Sequence, residues 1–590
     1  MDRILHALAT ERFFTVETAA CVEEWLLRPL RRARAQRAIA EAGLATKLTE
    51  LKDVARVARL RAHGIVLGLG LDDAEVVARA HAELPVPAEQ KLPMQTFGLV
   101  AVILATMGCA IGVRIATKPF DAAGSGLGKA FAQNFGTHVA SVANGSRPNA
   151  ETAVKHVFPA RTLTPPADRA MTELFAAQVA AAGDPGRMPV VFEKTRNVNA
   201  AFATLGQPWY LDARYYHEAP LLYAFYRERE DEGTAEKYAP ERIVYLWRLD
   251  RLNISKAALG YTHRDADAAL VLYDQIEELL IRDVLPALAE GEKLDFIDTA
   301  SRDPKKAWQE DVEMRAARMV RESFATAANH DDLVELGTLL AKRRALVKRW
   351  QADLSSQGRI LREPNRLVPE ADYVADLWHL VPSSTRHEWE DVHERLLSTR
   401  MTTTFEALRD RFAADIARHE LQHRFDGQRT KECDGETPCA KMLIPAAVKN
   451  RVGPKDEAPV LLGSLPARVR NETSAYLAQM ASPSSMPKMA ILSLLRTVLD
   501  REAWGDVYCN TTIVLLDVLA SEFGLVDEAM PLVAGGAVQR ASVASLVAVL
   551  FAKPDDELRA GAGKKWRELY GEELPLAVIT PGHQAKRWRH

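Results

Sequence analysis

Two histidines and a glutamate in the order His419-Glu420-Leu421-Gln422-His423 have the types and spacing of a metal-dependent hydrolytic site. Positions four apart share one face of a helix, so both imidazoles can reach a single ion. Glu420, beside the first imidazole, places a carboxylate where it can take a proton from water on that ion. The donor set suits zinc, whose catalytic sites use three protein ligands and keep the fourth position open.

The elements that must position these groups are also legible. Phe405, Leu408, Phe412 and Ile416 recur at helical spacing, with no glycine or proline between 405 and 426. Asp426-Gly427 then predicts a helix stop just after the motif. A third ligand is still required. A metzincin-type site needs glycine at 426 and histidine at 429; Asp426 and Arg429 exclude it. Asp426 itself, three residues after His423, could ligate, cap the helix end or bond an imidazole from outside the metal shell. The remaining solution is Glu472, within the helical stretch 470–480. His387 and His393, six residues apart, point away from each other on a helix and are not a second site.

Glu472-Thr-Ser-Ala475, preceded by Asn471, follows the histidine motif on a separate helix. In this the chain resembles the gluzincin metallopeptidases, over its C-terminal third. The resemblance implies a zinc ion held by His419, His423 and Glu472, with Glu420 as general base in peptide-bond hydrolysis. It also implies a histidine or tyrosine donor for the tetrahedral oxyanion, with Tyr476, Tyr508 and His583 as candidates. Many members carry Asp directly after the alanine; Tyr476 stands there instead. The outer partner of His419 must then come from elsewhere, and Asp426 is a candidate substitute.

The whole chain frames this segment. Its 590 residues allow about two to four domains. Abundant alanine, leucine and arginine with few β-branched residues predict a mainly α, multidomain protein. With 47% hydrophobic and 26% charged residues and a net charge of −3, wholesale nucleic-acid binding is not expected. Residues 1–165 read as a helical N-terminal region, 166–355 as an α+β middle domain, and 356–590 as a zincin-like catalytic domain. The runs 189–194, 209–216, 221–226 and 243–249 are β-branched and aromatic and predict a small antiparallel sheet within about 188–250. Helices are expected over 197–206, 265–285, 306–327, 331–351, 487–501, 510–523 and 538–552.

Residues 94–113 carry no charge and have the length of one membrane span, with Gly108 and Gly112 in close-packing spacing. A membrane helix and a buried, Gly- and Ala-rich helix both fit that run. The charged start lacks a secretory signal pattern, so a cytoplasmic or membrane-associated protein is expected. The basic run 28–37 fits a solvated helix face or an anionic membrane surface. Five cysteines do not make a disulfide framework. Cys509 reads as a core thiol, while Cys433 and Cys439 flank a polar loop as free thiols or a local bridge. The competing functional class is a non-catalytic helical scaffold, or a membrane-associated regulatory or effector protein, with a structural metal site. Against it stand the open three-ligand set and Glu420.

Overall fold

The computed structural model describes residues 126–582, apart from 159–162, 205–207, 217–218, 249–257, 264–265, 295–306, 356–360, 362, 370–376, 378–379, 382–384, 432–443 and 453–463. The run 94–113, the basic run 28–37, Cys433, Cys439 and His583 lie outside the described residues. Among the described residues the fold is mainly helical with a small sheet, and no helix is long and apolar enough to cross a membrane.

Four helices precede the sheet: α1 (Gly126–Ala143), α2 (Ala150–Val157), α3 (Pro165–Ala181) and α4 (Met188–Thr204). The last corrects the strand expected over 189–194. Val191, Thr195, Val198 and Phe202 are buried at helical spacing, so the period outweighs the local β-branched composition. Pro189 falls in the first turn, where a missing N–H costs nothing. From α4 the Asn199 side chain bonds both the N–H and the C=O of Leu211, at 2.8 Å each. It thereby covers the edge of the first strand.

That strand, β1 (Trp209–Tyr216), pairs antiparallel with the long β2 (Ala219–Ala235), which pairs antiparallel with β3 (Tyr238–Arg248). Two short strands follow, β4 (Gly260–Tyr261) and β5 (Ala269–Leu272), in the order β1-β2-β3-β5-β4. The β3–β5 pair is parallel, so the sheet is mixed where an all-antiparallel one was expected, and it extends past 250. β5 also replaces the start of the helix expected over 265–285. All four of its residues are buried, and a short continuous apolar run fits a buried strand as well as a helix. The chain then enters α5 (Tyr273–Leu279).

Side chains alternate cleanly across the sheet. Ile243, Tyr245, Trp247, Ala269 and Val271 face the main core, while Val244, Leu246, Leu270 and Leu272 form a second cluster with Tyr210, Tyr223, Phe225 and Tyr261. The sheet curls over this second cluster until its two ends meet. The Tyr261 hydroxyl of β4 donates to Asp212 of β1 at 2.9 Å, and the Tyr210 hydroxyl of β1 bonds Asp267 beside β5.

Helices then return: α6 (Ala307–Phe324), α7 (His330–Ser355) and α8 (Arg386–Leu396). Next comes α9 (Thr399–Lys431), the 33-residue helix that carries the histidine motif. Its Phe405, Leu408, Phe412, Ala413, Ala417, Leu421 and Phe425 are fully or nearly fully buried. The helix does not stop at Asp426-Gly427 as expected. Tertiary contacts carry it a further turn: Gln428 bonds both backbone groups of Ala239, and Arg429 pairs with Glu572 and Asp426. Beyond it lie α10 (Ala446–Val452), α11 (Leu465–Ala481), α12 (Pro487–Leu499) and α13 (Val507–Glu522). The hairpin β6 (Val533–Ala534) and β7 (Ala537–Val538), then α14 (Arg540–Ala552) and α15 (Asp555–Tyr570), follow. The final strand β8 (Val578–Pro581) covers the outer half of β2. Cys509 is a buried free thiol, as its apolar neighbours imply.

Two glycines let the sheet lie directly on α9. A Cβ on Gly233 of β2 would stand 2.5 Å from Leu421, and one on Gly260 of β4 would stand 2.8 Å from Glu420 Cγ. Only a residue without a side chain fits at either place.

Candidate metal centre

His419 and His423 project from the same face of α9, and Glu472 meets them from α11. The two Nε2 atoms are 3.1 Å apart. Glu472 brings one carboxylate oxygen to 3.5 Å from His419 Nε2 and the other to 3.7 Å from His423 Nε2. Among the described residues these three form the one group of metal-capable side chains, with all ligand atoms within 4.8 Å of one another. A tetrahedral zinc site with bonds of about 2.0–2.1 Å has ligand–ligand edges of about 3.3–3.4 Å. The observed separations bracket that edge, and two imidazoles with a carboxylate are the donors zinc takes, so the residues fit the ion.

α15 clamps α11 at the required distance from α9. Buried Trp566 donates from Nε1 to Ser474 Oγ at 2.9 Å, and the Tyr570 hydroxyl donates to the Arg470 carbonyl at 2.8 Å. Ser474 in turn faces Gln422 of α9 at 3.5 Å. Gln422 thus faces Ser474 of α11, and His419 and His423 face Glu472 of the same helix.

The electrostatics follow from burial and this convergence. Burial opposes a charge on His419, but Glu472 and Glu420 outweigh it and hold the imidazole above its ordinary pKa. For His423 burial wins and lowers the pKa. Burial also opposes ionised Glu472, yet the two imidazoles keep it below the ordinary carboxylate value. Glu420 behaves differently: burial pushes it up to about 8, although His419, Thr262 and Arg214 favour its charge. Its Oε2 is buried without a hydrogen bond. Buried, underbonded and beside His419, this carboxylate is the candidate proton acceptor of the site.

Tyr476 packs its ring edge-on to His419, centroids 4.4 Å apart, and its buried phenol is pushed well above its usual pKa. It acts as a wall for the imidazole. Tyr508, in the first turn of α13, is 40% exposed, and the Glu472 charge and burial raise its pKa. Asp426 is not among the converging groups. Its carboxylate accepts from Gln422 Nε2 at 3.2 Å and pairs with Arg429 at 3.1 Å.

Several neighbours of the site have no counterpart in the motif reading. Gln479, farther along α11, favours the charged form of His419; its amide oxygen and His419 Nδ1 are both buried without a hydrogen bond. From the sheet come Gly260 against the Glu420 stem and Thr262, whose hydroxyl faces the Glu420 carboxylate. Arg214 of β1 lies over the Tyr261 ring at 4.0 Å, and its charge favours the ionised form of Glu420. No local pattern marks these residues. Gly260 and Thr262 lie on or just after a strand far from the motif in sequence, and Gln479 lies beyond the Glu472–Ala475 pattern on α11.

No family model matches the chain, and no similar curated protein or solved structure is found.

Proposed function

We propose that the protein is a zinc-dependent peptidase of gluzincin type. One observation carries the reading: His419, His423 and Glu472 converge at zinc-ligand separations while Glu420, on the same helix, is buried with an unbonded carboxylate oxygen. Zinc held there would supply a Lewis acid that polarises a carbonyl and lowers the pKa of water. The chain's own residues do the rest. A hydrogen bond from His419 Nδ1–H to the Gln479 amide oxygen, both now unbonded, would present Nε2 to the ion. Glu420 takes a proton from the attacking water and returns it to the departing amine. The Tyr508 phenol, partly open to solvent in the first turn of α13, is the candidate donor to the developing oxyanion.

A peptide substrate is favoured by the neighbouring strand. β4 ends the sheet order among the described residues, and its Gly260 touches the Glu420 side chain. An extended peptide added to that edge would bring its backbone carbonyls past Glu420.

Metal content tests the reading. Elemental mass spectrometry should find about one zinc per chain in the wild type, lost in both His419→Ala and Glu472→Ala. Glu420→Gln should keep the zinc and lose hydrolysis. A wild type that stays metal-free after zinc supplementation would overturn the proposal, and zinc retained in Glu472→Ala would move the third ligand elsewhere.

A further inference from the structure

We infer that the outer face of α14 is a docking groove for an amphipathic helical segment of another protein, apolar along one stripe and carrying lysine or arginine beside it. No residue of the metal centre lines this groove, so the inference stands apart from the peptidase reading. Its origin is visible in the chain. From Ala541 to Ala552, α14 has no charged residue. A helix that is apolar all round is ordinarily buried all round. Here Val543, Val547, Leu550 and Phe551 are buried, while Val549 on the other side is 44% exposed.

That other side borders a trough of about 580 Å³, within the size range of binding sites. Two helices line it with stripes at spacings of four and three: Ser542, Leu546 and Val549 from α14, and Ile513, Asp517 and Ala520 from α13. Residues of the segment 525–533 close another side. They set Val526 and Met530, 66% and 46% exposed, at the rim above buried Ile513 and Leu532. A lone exposed apolar side chain is ordinary, but Val526, Met530 and Val549 around one apolar floor mark an interaction site. A rim this exposed does not enclose a small molecule, whose sites bury most of the ligand surface. A trough walled by helical stripes instead accepts the side-chain ridge of a further helix.

Charge selects which helix. Asp517, Asp527 and Glu528 line the trough against one cation, Arg451 of α10. Asp527 accepts the Ala529 N–H at 2.9 Å, and none of the three carboxylates forms an ion pair among the described residues. An apolar floor with an acidic border complements a basic amphipathic helix and repels acidic surfaces, anionic lipid included. A second copy docked groove to groove would set these carboxylates against their own images.

The test is fluorescence anisotropy of a synthetic helical peptide of about 15 residues, with leucine along one stripe and arginine beside it, added to the full chain. The control peptide has glutamate in place of every arginine. The arginine peptide should bind on the order of 10-fold more tightly than the control, and less tightly as salt is raised. Val549→Asp and Met530→Asp should each weaken it on the order of 10-fold. Asp527→Lys combined with Glu528→Lys should abolish the preference for the arginine peptide. Leu576→Asp, at a 77% exposed apolar residue that does not line the groove, should leave binding unchanged. All these positions are exposed, and circular dichroism checks that each variant folds. No binding of the arginine peptide, equal binding of the two peptides, or binding that survives both Val549→Asp and Met530→Asp would overturn the inference. A wild-type dimer in sedimentation, or binding to anionic lipid vesicles, that Val549→Asp abolishes would assign the groove to a second copy or to a membrane and overturn it equally.

Discussion

Gly260→Ala asks whether the β4 edge sets the position of the Glu420 carboxylate. A methyl at 260 would stand 2.8 Å from Glu420 Cγ, 2.8 Å from the Leu270 carbonyl oxygen and 2.9 Å from Ile416 Cγ2. Carbon atoms settle at about 3.5–4.0 Å, so something must give by roughly 1 Å. The Leu270 carbonyl belongs to the β5 backbone, which is locked between β3 and β4. Ile416 is packed in the main core. Glu420, whose Oε2 has no hydrogen bond, is the group that yields. Displacing a reacting group by about 1 Å can cost on the order of 100-fold in rate. Overpacking should also lower stability by about 1–3 kcal/mol. The proposed zinc ligands His419, His423 and Glu472 are not among the atoms the methyl would meet, so the variant should keep its metal. Peptide hydrolysis, zinc per chain and thermal melting would be measured side by side. Gly563→Ala is the control, because a Cβ there meets only Ala481 Cβ at an ordinary 3.6 Å. Wild-type hydrolysis by Gly260→Ala would refute the placement of Glu420 against the strand, and loss of zinc together with activity would show that the clash is passed to the ligands.

Three further outcomes are expected. Asp415 is buried one turn before His419 and accepts the Met486 N–H at 3.0 Å; burial pushes its carboxyl up to about 7. An acid whose folded pKa exceeds its unfolded value of about 3.9 loses stability as pH rises between the two, to a ceiling of ~4 kcal/mol above about pH 7. Asp415→Asn keeps an acceptor without the charge, so urea unfolding should show a gain at pH 8 that fades toward pH 4; a variant less stable than wild type at pH 8 would contradict this. Tyr508→Phe should cut kcat/KM on the order of 100-fold with zinc content and melting unchanged, and an unaltered rate would remove Tyr508 from the oxyanion site. Trp566→Phe strips the donor from Ser474, which lies on α11 two residues after Glu472. It should weaken zinc retention against a chelator by roughly 10-fold, and unchanged retention would show that α15 does not set the position of Glu472.

The histidine motif was legible because helical spacing is local: a four-residue repeat fixes the relative direction of His419 and His423 whatever surrounds them. Glu472 needed a second helix at a plausible distance, and the pattern 472–475 supplied it. The same local logic misjudged 189–194, where β-branched residues suggested a strand and the burial period made a helix. It also ended α9 at Gly427, because a stop signal in sequence carries no information about Ala239 and Glu572 waiting beyond it.

What the chain by itself determined is a mainly helical protein with a short β-rich segment and two helices carrying two imidazoles and a carboxylate. Only the tertiary structure decided how that carboxylate meets the imidazoles, through the α15 clamp of Trp566 and Tyr570 on α11. It alone laid Gly260 and Thr262 against Glu420, and curled the sheet until β1 and β4 touch through Asp212 and Tyr261. The division has a physical cause. Side-chain direction along one helix follows from backbone geometry, whereas contacts between distant elements follow from how their buried faces pack, which no short stretch of sequence contains.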